Sequence, residues 1–306
     1  MNPALAERAA QWRHRLTLAV LVCGAAGLAA WLGWRGYDYY RLPLNERPFH
    51  PLHPELRPSG GTGIRLGLLS ASLFLCIYLY PLRKRIAWLQ RIGKTRRWLD
   101  VHVALGLIVP LIVTVHASFK VHGLIGMAYW IMLAIVASGV AGRYLYAQIP
   151  RSVSAAELSL KELAGQAEAW SQRLHEQRIF SAGELAAALA APSREAVESM
   201  PMLGALAHMV ALDLKRPFRV AALRRRVIDR RERLSTLWGL RRSRHQELES
   251  VLEAVRAGAW LAAKIAFLRR AGEIFHLWHV VHKPFSYSFA VIVAAHIALV
   301  FLMGYF

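Results

Sequence analysis

The stretch VHVALGLIVPLIVTVHASF, residues 101–119, contains two histidines, His102 and His116, and no Asp, Glu, Lys or Arg. A second apolar run, FSYSFAVIVAAHIALVFLMGYF at residues 285–306, contains His296. A bilayer core about 30 Å thick is crossed by roughly 20 apolar helical residues, because every backbone amide in lipid must be satisfied within its own segment. Both runs therefore predict transmembrane helices that carry histidine inside the membrane.

Three further runs without charged side chains are long enough to cross a bilayer, at residues 17–34, 66–82 and 123–142. The chain of 306 residues is 56% hydrophobic and yet carries a formal net charge of +20, so apolar and charged residues are segregated along it. Such segregation is typical of membrane proteins. The sequence therefore predicts an all-α fold, an integral membrane bundle of about five transmembrane helices with an all-helical cytoplasmic insertion. The first run also fits a signal peptide, but it lacks a clear small-residue cleavage site, which favours a retained anchor.

Basic side chains in short loops indicate the side of the membrane, because Lys and Arg are retained in the cytoplasm during insertion. Residues 83–97 contain seven Lys and Arg side chains and no Asp or Glu, so this loop is predicted to be cytoplasmic. The N-terminal tail then lies on the same side, and the loop at residues 35–65 lies outside. Five prolines in the outer loop argue against regular structure there. The chain is predicted to be a multi-pass protein of a bacterial inner membrane.

The sequence divides into four predicted parts. Residues 1–16 form the cytoplasmic tail, and residues 17–150 contain four transmembrane helices. Residues 151–274 form the basic cytoplasmic insertion, and residues 275–306 contain the final transmembrane helix, which completes the bundle.

The insertion is predicted to be helical, with capping boxes that begin at Ser154 and Ser181, each followed three residues later by Glu. Breaks are predicted at its three prolines, Pro192, Pro201 and Pro217. The many arginines between Arg219 and Arg244 predict a dense basic face. Two interpretations of this face stay open, a solvated surface beside anionic lipid and a docking surface for a partner protein. No recognisable motif accompanies it, so nucleic acid is not a predicted partner.

Histidine spacing is the same in two helices, since both His102 with His116 and His282 with His296 are 14 residues apart. The two rings of each pair are then only about 40° apart around a helix and about 21 Å apart along it. Each pair therefore occupies one helical face at two membrane depths. With a cytoplasmic N-terminus the two helices run in the same direction. His102 is then predicted to face His282 near the cytoplasm, and His116 to face His296 nearer the outside.

Two neutral imidazoles can bind the iron of b-type haem axially while the macrocycle fills an apolar gap between helices. The sequence therefore predicts two non-covalent b haems, with iron held by His102 and His282 at the inner site and by His116 and His296 at the outer site. His279 is the reserve ligand of the inner site. The alternative is that each histidine only makes an interhelical hydrogen bond. A zinc site is disfavoured because no Cys, Asp or Glu accompanies the pairs.

Basic side chains near both predicted sites are candidate contacts for the haem carboxylates. They are Arg96, Arg97, Arg143 and Lys283 for the inner haem and Lys120 for the outer haem. The same residues are also explained as positive charges that orient the chain in the membrane, and this interpretation stays open.

The arrangement of His102, His116, His282 and His296, with a helix between the two pairs, resembles the membrane domain of the ferric reductase and NADPH oxidase superfamily. In that family, paired histidines at similar spacing on two parallel helices hold two haems across the membrane. The resemblance implies a di-haem cytochrome b that transfers electrons. This chain differs in the long insertion before the last helix, and its 306 residues include no flavin and nicotinamide domain after it.

The predicted function is transmembrane electron transfer from a cytoplasmic redox protein or a membrane quinol to an acceptor on the outer side. Whether the chain is an enzyme by itself is left open, because an electron conductor needs a partner to complete a reaction. Two other functions stay open. One is a quinol-oxidising anchor subunit of a larger oxidoreductase, with quinone as a further cofactor. The other is a haem-free membrane sensor or scaffold.

Overall fold

The computed structural model describes residues 3–148, 172 and 179–304 of the chain. Backbone contacts divide the chain into two compact units. We call Met1–Arg143 with Val280–Phe306 the bundle unit, and Tyr144–His279 the insertion unit. Every regular element in the described residues is helical, which confirms the all-α prediction for them.

The helices are numbered along the chain with the following bounds. They are α1 Pro3–Arg35, α2 Tyr37–Tyr40, a 3-10 turn Arg47–Phe49, α3 His53–Leu56, α4 Gly61–Ile77, α5 Leu79–Arg83, α6 Ala87–Gln90, α7 Thr95–His116, α8 Gly123–Gln148, α9 Ala182–Leu189, α10 Arg194–Ser199, α11 Met202–Val227, α12 Arg230–Ser235 and α13 Gln246–Leu302.

Five helical segments are long and apolar enough to cross a membrane, as the sequence predicts. They are α1, the segment from α3 to α5, α7, α8 and α13. The largest difference in bounds is at α13, which begins at Gln246, whereas the last transmembrane helix was expected to begin near residue 275. No proline occurs between Gln246 and Pro284, so nothing in this stretch removes a helical hydrogen bond and the helix continues.

The second apolar run forms two helices, because α4 ends at Ile77 and α5 begins at Leu79. Pro81 explains the interruption. Its ring nitrogen carries no hydrogen, so the carbonyl of Ile77, four residues earlier, has no helical donor. At the junction, the hydroxyl of Tyr78 donates to the carbonyl of Ser286 on α13, 2.7 Å away. The interruption therefore leaves the carbonyl of Ile77 able to bond outside its own helix. It also places Tyr78 where it links α4 directly to α13.

The loop between α1 and α4 contains three short helical turns joined by irregular segments, so the prediction of irregular structure is wrong for residues 37–40, 47–49 and 53–56. Proline occupies the first turn of two of these helices, where its missing N–H costs nothing. Buried Arg47 holds the loop together, since Nε donates to the carbonyl of Leu42 at 3.0 Å and Nη2 to that of Tyr40 at 2.6 Å. Its Nη1 donates to the carbonyl of Ser118 at 2.7 Å. One guanidinium thus ties the loop to the end of α7.

The end of α7 at His116 is fixed by two residues with left-handed backbone, Ser118 with φ 50° and Phe119 with φ 59°. A residue other than glycine pays about 1–2 kcal/mol for this conformation. Contacts offset that cost, because the Ser118 hydroxyl donates to the carbonyl of Leu56 at 2.5 Å and the Phe119 ring packs 4.8 Å from that of Tyr40. Burial raises the pKa of Tyr40 to about 12, so its phenol stays neutral in this packing.

α7 is central in the bundle unit and packs closely on α1 and α4. One buried core on this side contains Leu66, Ile108, Ile112 and Val115. A second buried core joins Val109 of α7, Met132 of α8 and Phe289 of α13. α7 therefore contributes to both cores of the unit, which also contain residues of α1, α4, α8 and α13.

The insertion unit contains α9 to α12, the end of α8 and the first part of α13, around two hydrophobic cores. The capping box predicted at Ser181 is confirmed, because Ser181 and Glu184 cap each other's backbone N–H. The box predicted at Ser154 lies outside the described residues. The break predicted at Pro217 is wrong, since α11 continues through it, whereas the other two prolines lie between helices.

Two arginines of the predicted basic face form ion pairs within the insertion unit. Arg224 is buried and forms a two-pronged ion pair with Glu249, with Nε to Oε1 and Nη2 to Oε2 both at 2.7 Å. Arg226 forms an ion pair with Glu184. The prediction is therefore wrong for Arg224, whose charge is not available at the surface.

Candidate functional site

The two helices that carry the histidine pairs are aligned at their midpoints. Val109 is midway between the two histidines of α7, and Phe289 is midway between the two histidines of α13. Their side chains are only 4% and 7% exposed and lie in the same buried core. Each histidine is seven residues from its midpoint residue, so in two straight parallel helices the two pairs would lie at matching levels.

His116 and His296 are neighbours in the structure, close enough for their imidazoles to interact electrostatically. Both lie on the C-terminal side of their midpoint residues. Because Val109 and Phe289 share one core, this proximity indicates that α7 and α13 run in the same direction, as the sequence predicts. The side chain of His296 is exposed, whereas that of His116 is half-buried.

The imidazole of His116 lies directly on the backbone of α4. Its Nδ1 donates to the carbonyl of Gly63, 2.8 Å away. A Cβ at Gly67 would lie 2.8 Å from the Cε1 and 3.0 Å from the Nδ1 of this ring, closer than such atoms approach in proteins. Glycine at position 67 is therefore needed for the ring to lie where it does.

The inner histidine of α7 is held in a similar way. His102 donates from Nδ1 to the carbonyl of Ile77 at 3.0 Å, and this is the carbonyl that Pro81 leaves without a helical donor. The ring of Tyr80 packs against the imidazole, with 5.2 Å between ring centroids. The α4–α5 interruption thus orients His102.

His282 is oriented by α8. Its Nδ1 lies 2.7 Å from the hydroxyl oxygen of Ser138. The carbonyl of Ile135 lies 3.1 Å from the same hydroxyl oxygen, so Ser138 is placed to bond both groups. Gly139 lies under the same ring, where an added Cβ would be in ordinary contact with Cε1 at 3.6 Å. The contacts that fix His282 are therefore with α8, and those that fix His102 are with α4 and α5.

The reserve ligand, His279, lies in a different environment from His282. It packs against the rings of Phe275 and Trp278, at centroid distances of 5.8 Å and 5.5 Å. It also belongs to the insertion unit, whereas His282 belongs to the bundle unit with the three other predicted ligands.

The ring nitrogens of these histidines suit iron ligation. A carbonyl oxygen can only accept, so Nδ1 carries the proton in His102 and His116, and the lone pair is on Nε2. Metal-binding histidines usually donate their other ring N–H to a carbonyl or similar acceptor in this way. Among the described residues, no group of three or more His, Cys, Asp or Glu side chains could hold a metal ion. A haem iron needs only two axial imidazoles, so the donor set fits b-type haem.

The basic side chains that the sequence connects with the haem carboxylates lie in varied surroundings. Arg96 and Arg97 are exposed at the start of α7, and Lys283 is exposed beside His282. Lys120 is half-buried just after α7. Arg143 pairs with Asp100, with 2.9 Å between Nη2 and Oδ1. Arg143 therefore already has a carboxylate partner within the chain.

Residues that orient the histidines were not predicted from the sequence. Gly67 and Ser138 are ordinary residues of apolar helices, and their role follows only from which ring lies on them. Pro81 did carry a signal, since a proline always deprives the carbonyl four residues earlier of its helical bond. That signal identifies Ile77 as an acceptor but does not identify His102 as its donor.

Comparison with protein-family models, curated proteins and solved structures finds no match to this chain.

Proposed function

We propose that the chain is a membrane electron-transfer protein that holds two b-type haems, one between His102 and His282 and one between His116 and His296. The observation that carries the proposal is the shared register of α7 and α13, whose midpoint residues Val109 and Phe289 pack in one core. An accidental pair of histidine-bearing helices has no reason to share spacing, direction and register.

The residues of the chain supply the ligands and fix their orientation. His102 and His116 each use Nδ1–H on a backbone carbonyl, which leaves Nε2 as the electron-pair donor to iron. The hydroxyl of Ser138, 2.7 Å from Nδ1 of His282, orients the third ring. Haem b, when bound, supplies a one-electron iron couple. The apolar core around Val109 and Phe289 lies between the two histidine levels and keeps water and ions out of that region.

The first test is cofactor content combined with paired substitutions. Protein purified from membranes of haem-supplied cells should contain two b haems per chain, extractable by acidified organic solvent because the sequence has no CxxCH motif. His116→Ala and His296→Ala should each remove the same haem, and His102→Ala and His282→Ala the other. The measurement is the pyridine haemochrome content together with reduced-minus-oxidised spectra at low temperature.

His276→Ala is the matched control, because His276 is an exposed histidine of the same helix as His282. It should keep both haems. One haem or none in the unsubstituted chain would contradict the proposal. His279→Ala should also keep both haems, and loss of the inner haem in this variant but not in His282→Ala would transfer the inner site to His279.

We further propose that the chain is a multi-pass protein of a bacterial inner membrane and that electrons enter and leave through other molecules. Two haems accept and pass single electrons, so a redox protein or a membrane quinol must supply them on the cytoplasmic side and an acceptor must remove them outside. Arg241 and Arg244 remain exposed for an acidic donor protein. A donor held by surface charge should bind more weakly as salt rises, because the screening length falls from about 10 Å at 0.1 M to about 3 Å at 1 M.

A further inference from the structure

A cleft in the bundle unit, separate from the histidine pairs, lies between the first part of α1 and the start of α7. Its cavity volume is about 40 Å³, and it is open to solvent on one side. Four basic side chains line it, together with His14 and Asp100. The four are Arg15, Lys94, Arg96 and Arg97.

The charge of this cleft is not balanced by its own carboxylate. Asp100 gives Oδ1 to Arg143 at 2.9 Å, and its Oδ2 lies 3.7 Å from Nε2 of His14. The carboxylate is therefore already paired with a fifth cation. The side chains of Arg15, Arg96 and Arg97 are exposed. Like charges gathered around one cavity repel each other, and an anion between them removes that repulsion.

The position of the cleft in the fold indicates where that anion comes from. α1 becomes apolar from residue 17 and α7 from residue 101, directly after the basic residues of the cleft. Trp12, three residues before Arg15 on α1, is 66% exposed. Tryptophan is enriched at the membrane–water interface, so the cleft lies at the depth of the lipid headgroups when the two helices are in a bilayer. We infer that the cleft binds the phosphate of an anionic phospholipid.

Arginine suits this ligand, because its guanidinium makes two parallel hydrogen bonds to phosphate oxygens. Basic pockets between transmembrane helices on the cytoplasmic side are common sites for anionic headgroups. The inference rests on the membrane placement proposed above and does not depend on haem.

The test uses the full chain, extracted from membranes in detergent with its haem content measured. Phosphatidylglycerol is titrated against phosphatidylcholine of the same acyl chains at fixed ionic strength, and the melting temperature and the lipid retained in native mass spectra are followed. Each basic residue near an anionic headgroup contributes about fivefold to binding, so Arg96→Gln with Arg97→Gln should weaken phosphatidylglycerol binding roughly 25-fold. Binding of phosphatidylcholine should be the same in the parent and in this variant.

The matched control is Arg85→Gln with Arg91→Gln, which removes two exposed charges from the same loop outside the cleft. It should bind phosphatidylglycerol like the parent, and an equal loss in both double variants would overturn the inference. If the Arg96 and Arg97 variant does not fold, Arg15→Gln tests the opposite wall of the cleft.

Two further outcomes separate the sources of the anion. Inorganic phosphate or glycerol phosphate that stabilises the chain as much as the lipid would overturn the lipid assignment. A change in the spectrum of the inner haem with unchanged lipid binding would also overturn it, because Arg96 and Arg97 would then serve the haem carboxylates. Loss of lipid binding in a preparation that retains both haems supports the inference.

Discussion

The position of His116, a proposed iron ligand, depends on residues that would not bind iron themselves. The ring of His116 is pressed onto Gly67, and its Nδ1 is bonded to the carbonyl of Gly63 one turn earlier on the same helix. The imidazole of His116 cannot move toward α4 without a clash with that helix. It cannot move away without losing the hydrogen bond to Gly63. Gly67 is thus a positioning residue for the outer site.

Gly67→Ala should weaken binding of the outer haem about 10- to 100-fold, the usual effect of a lost orienting contact at a metal site. The added Cβ would force the His116 ring to rotate. Alanine also favours a helix by about 1 kcal/mol over glycine, so α4 itself should not be destabilised. The measurement is haem content and the spin state of ferric haem by electron paramagnetic resonance.

Gly139→Ala is the matched control, since its new Cβ would be in ordinary contact with the His282 ring at 3.6 Å. This variant should keep the inner haem in its low-spin state. Equal haem content in both glycine variants would mean that the contact with Gly67 does not orient His116.

At the residue scale, the sequence predicted the candidate ligands but not what holds them. The 14-residue spacing is visible because helix geometry converts sequence distance directly into angle and height. The partners of Nδ1 are not visible in the same way, because Ile77, Gly63 and Ser138 lie on other helices. Which residues of two helices meet depends on packing, and packing is a property of the folded chain.

Single buried side chains also fix whole elements, as Arg47 does at the end of α7. Its guanidinium donates to three carbonyls in two segments, and the shortest of these bonds is 2.6 Å, to Tyr40. The five prolines of this loop suggested irregular structure, yet two of them, Pro48 and Pro54, lie in the first turn of short helices. Proline content alone therefore predicted the wrong local structure, because its effect depends on its position within a turn.

Arg47→Gln should destabilise the bundle unit by about 2–4 kcal/mol, because glutamine cannot reach all three carbonyls and bonds from a charged donor are each worth about 1.5–3 kcal/mol. The expected result is a fall of several degrees in the melting temperature of detergent-solubilised protein. Weakened outer haem binding should accompany it, since Ser118 lies two residues after His116.

Arg41→Gln provides the comparison for this variant. Arg41 is exposed and contacts Asp38 at 3.5 Å on the same short turn, so its loss should change stability little. Similar melting temperatures for both arginine variants would show that the three carbonyl bonds of Arg47 do not stabilise the fold.

For the molecule as a whole, the basic loop between α5 and α7 determines the proposed orientation. Its positive charges predict a cytoplasmic location, which puts the N-terminal tail and the insertion unit on that side. The number of span-length helices was predictable, because hydropathy is a local property of the sequence. The extent of α13 was not, since the helix continues through residues whose composition differs from that of a membrane span.

Cysteine labelling tests this orientation. In a background with Cys23→Ala and Cys76→Ala, Asn45→Cys should react with a membrane-impermeant maleimide in intact spheroplasts. Ile92→Cys and Ser250→Cys should react only after the membrane is opened. All three positions are exposed in the structure, so a lack of reaction reports the side of the membrane and not burial. Labelling of Ile92→Cys in intact spheroplasts would reverse the proposed orientation.

The shared core of Val109 and Phe289 limits how the length of the chain can change. One codon inserted between Phe289 and His296 would turn the ring of His296 by about 100° and move it about 1.5 Å along the helix, while His282 would keep its place. Between paired histidines, a change of length is therefore more harmful than most changes of side chain. Natural variants should gain and lose residues freely in the insertion unit and keep both 14-residue intervals unchanged.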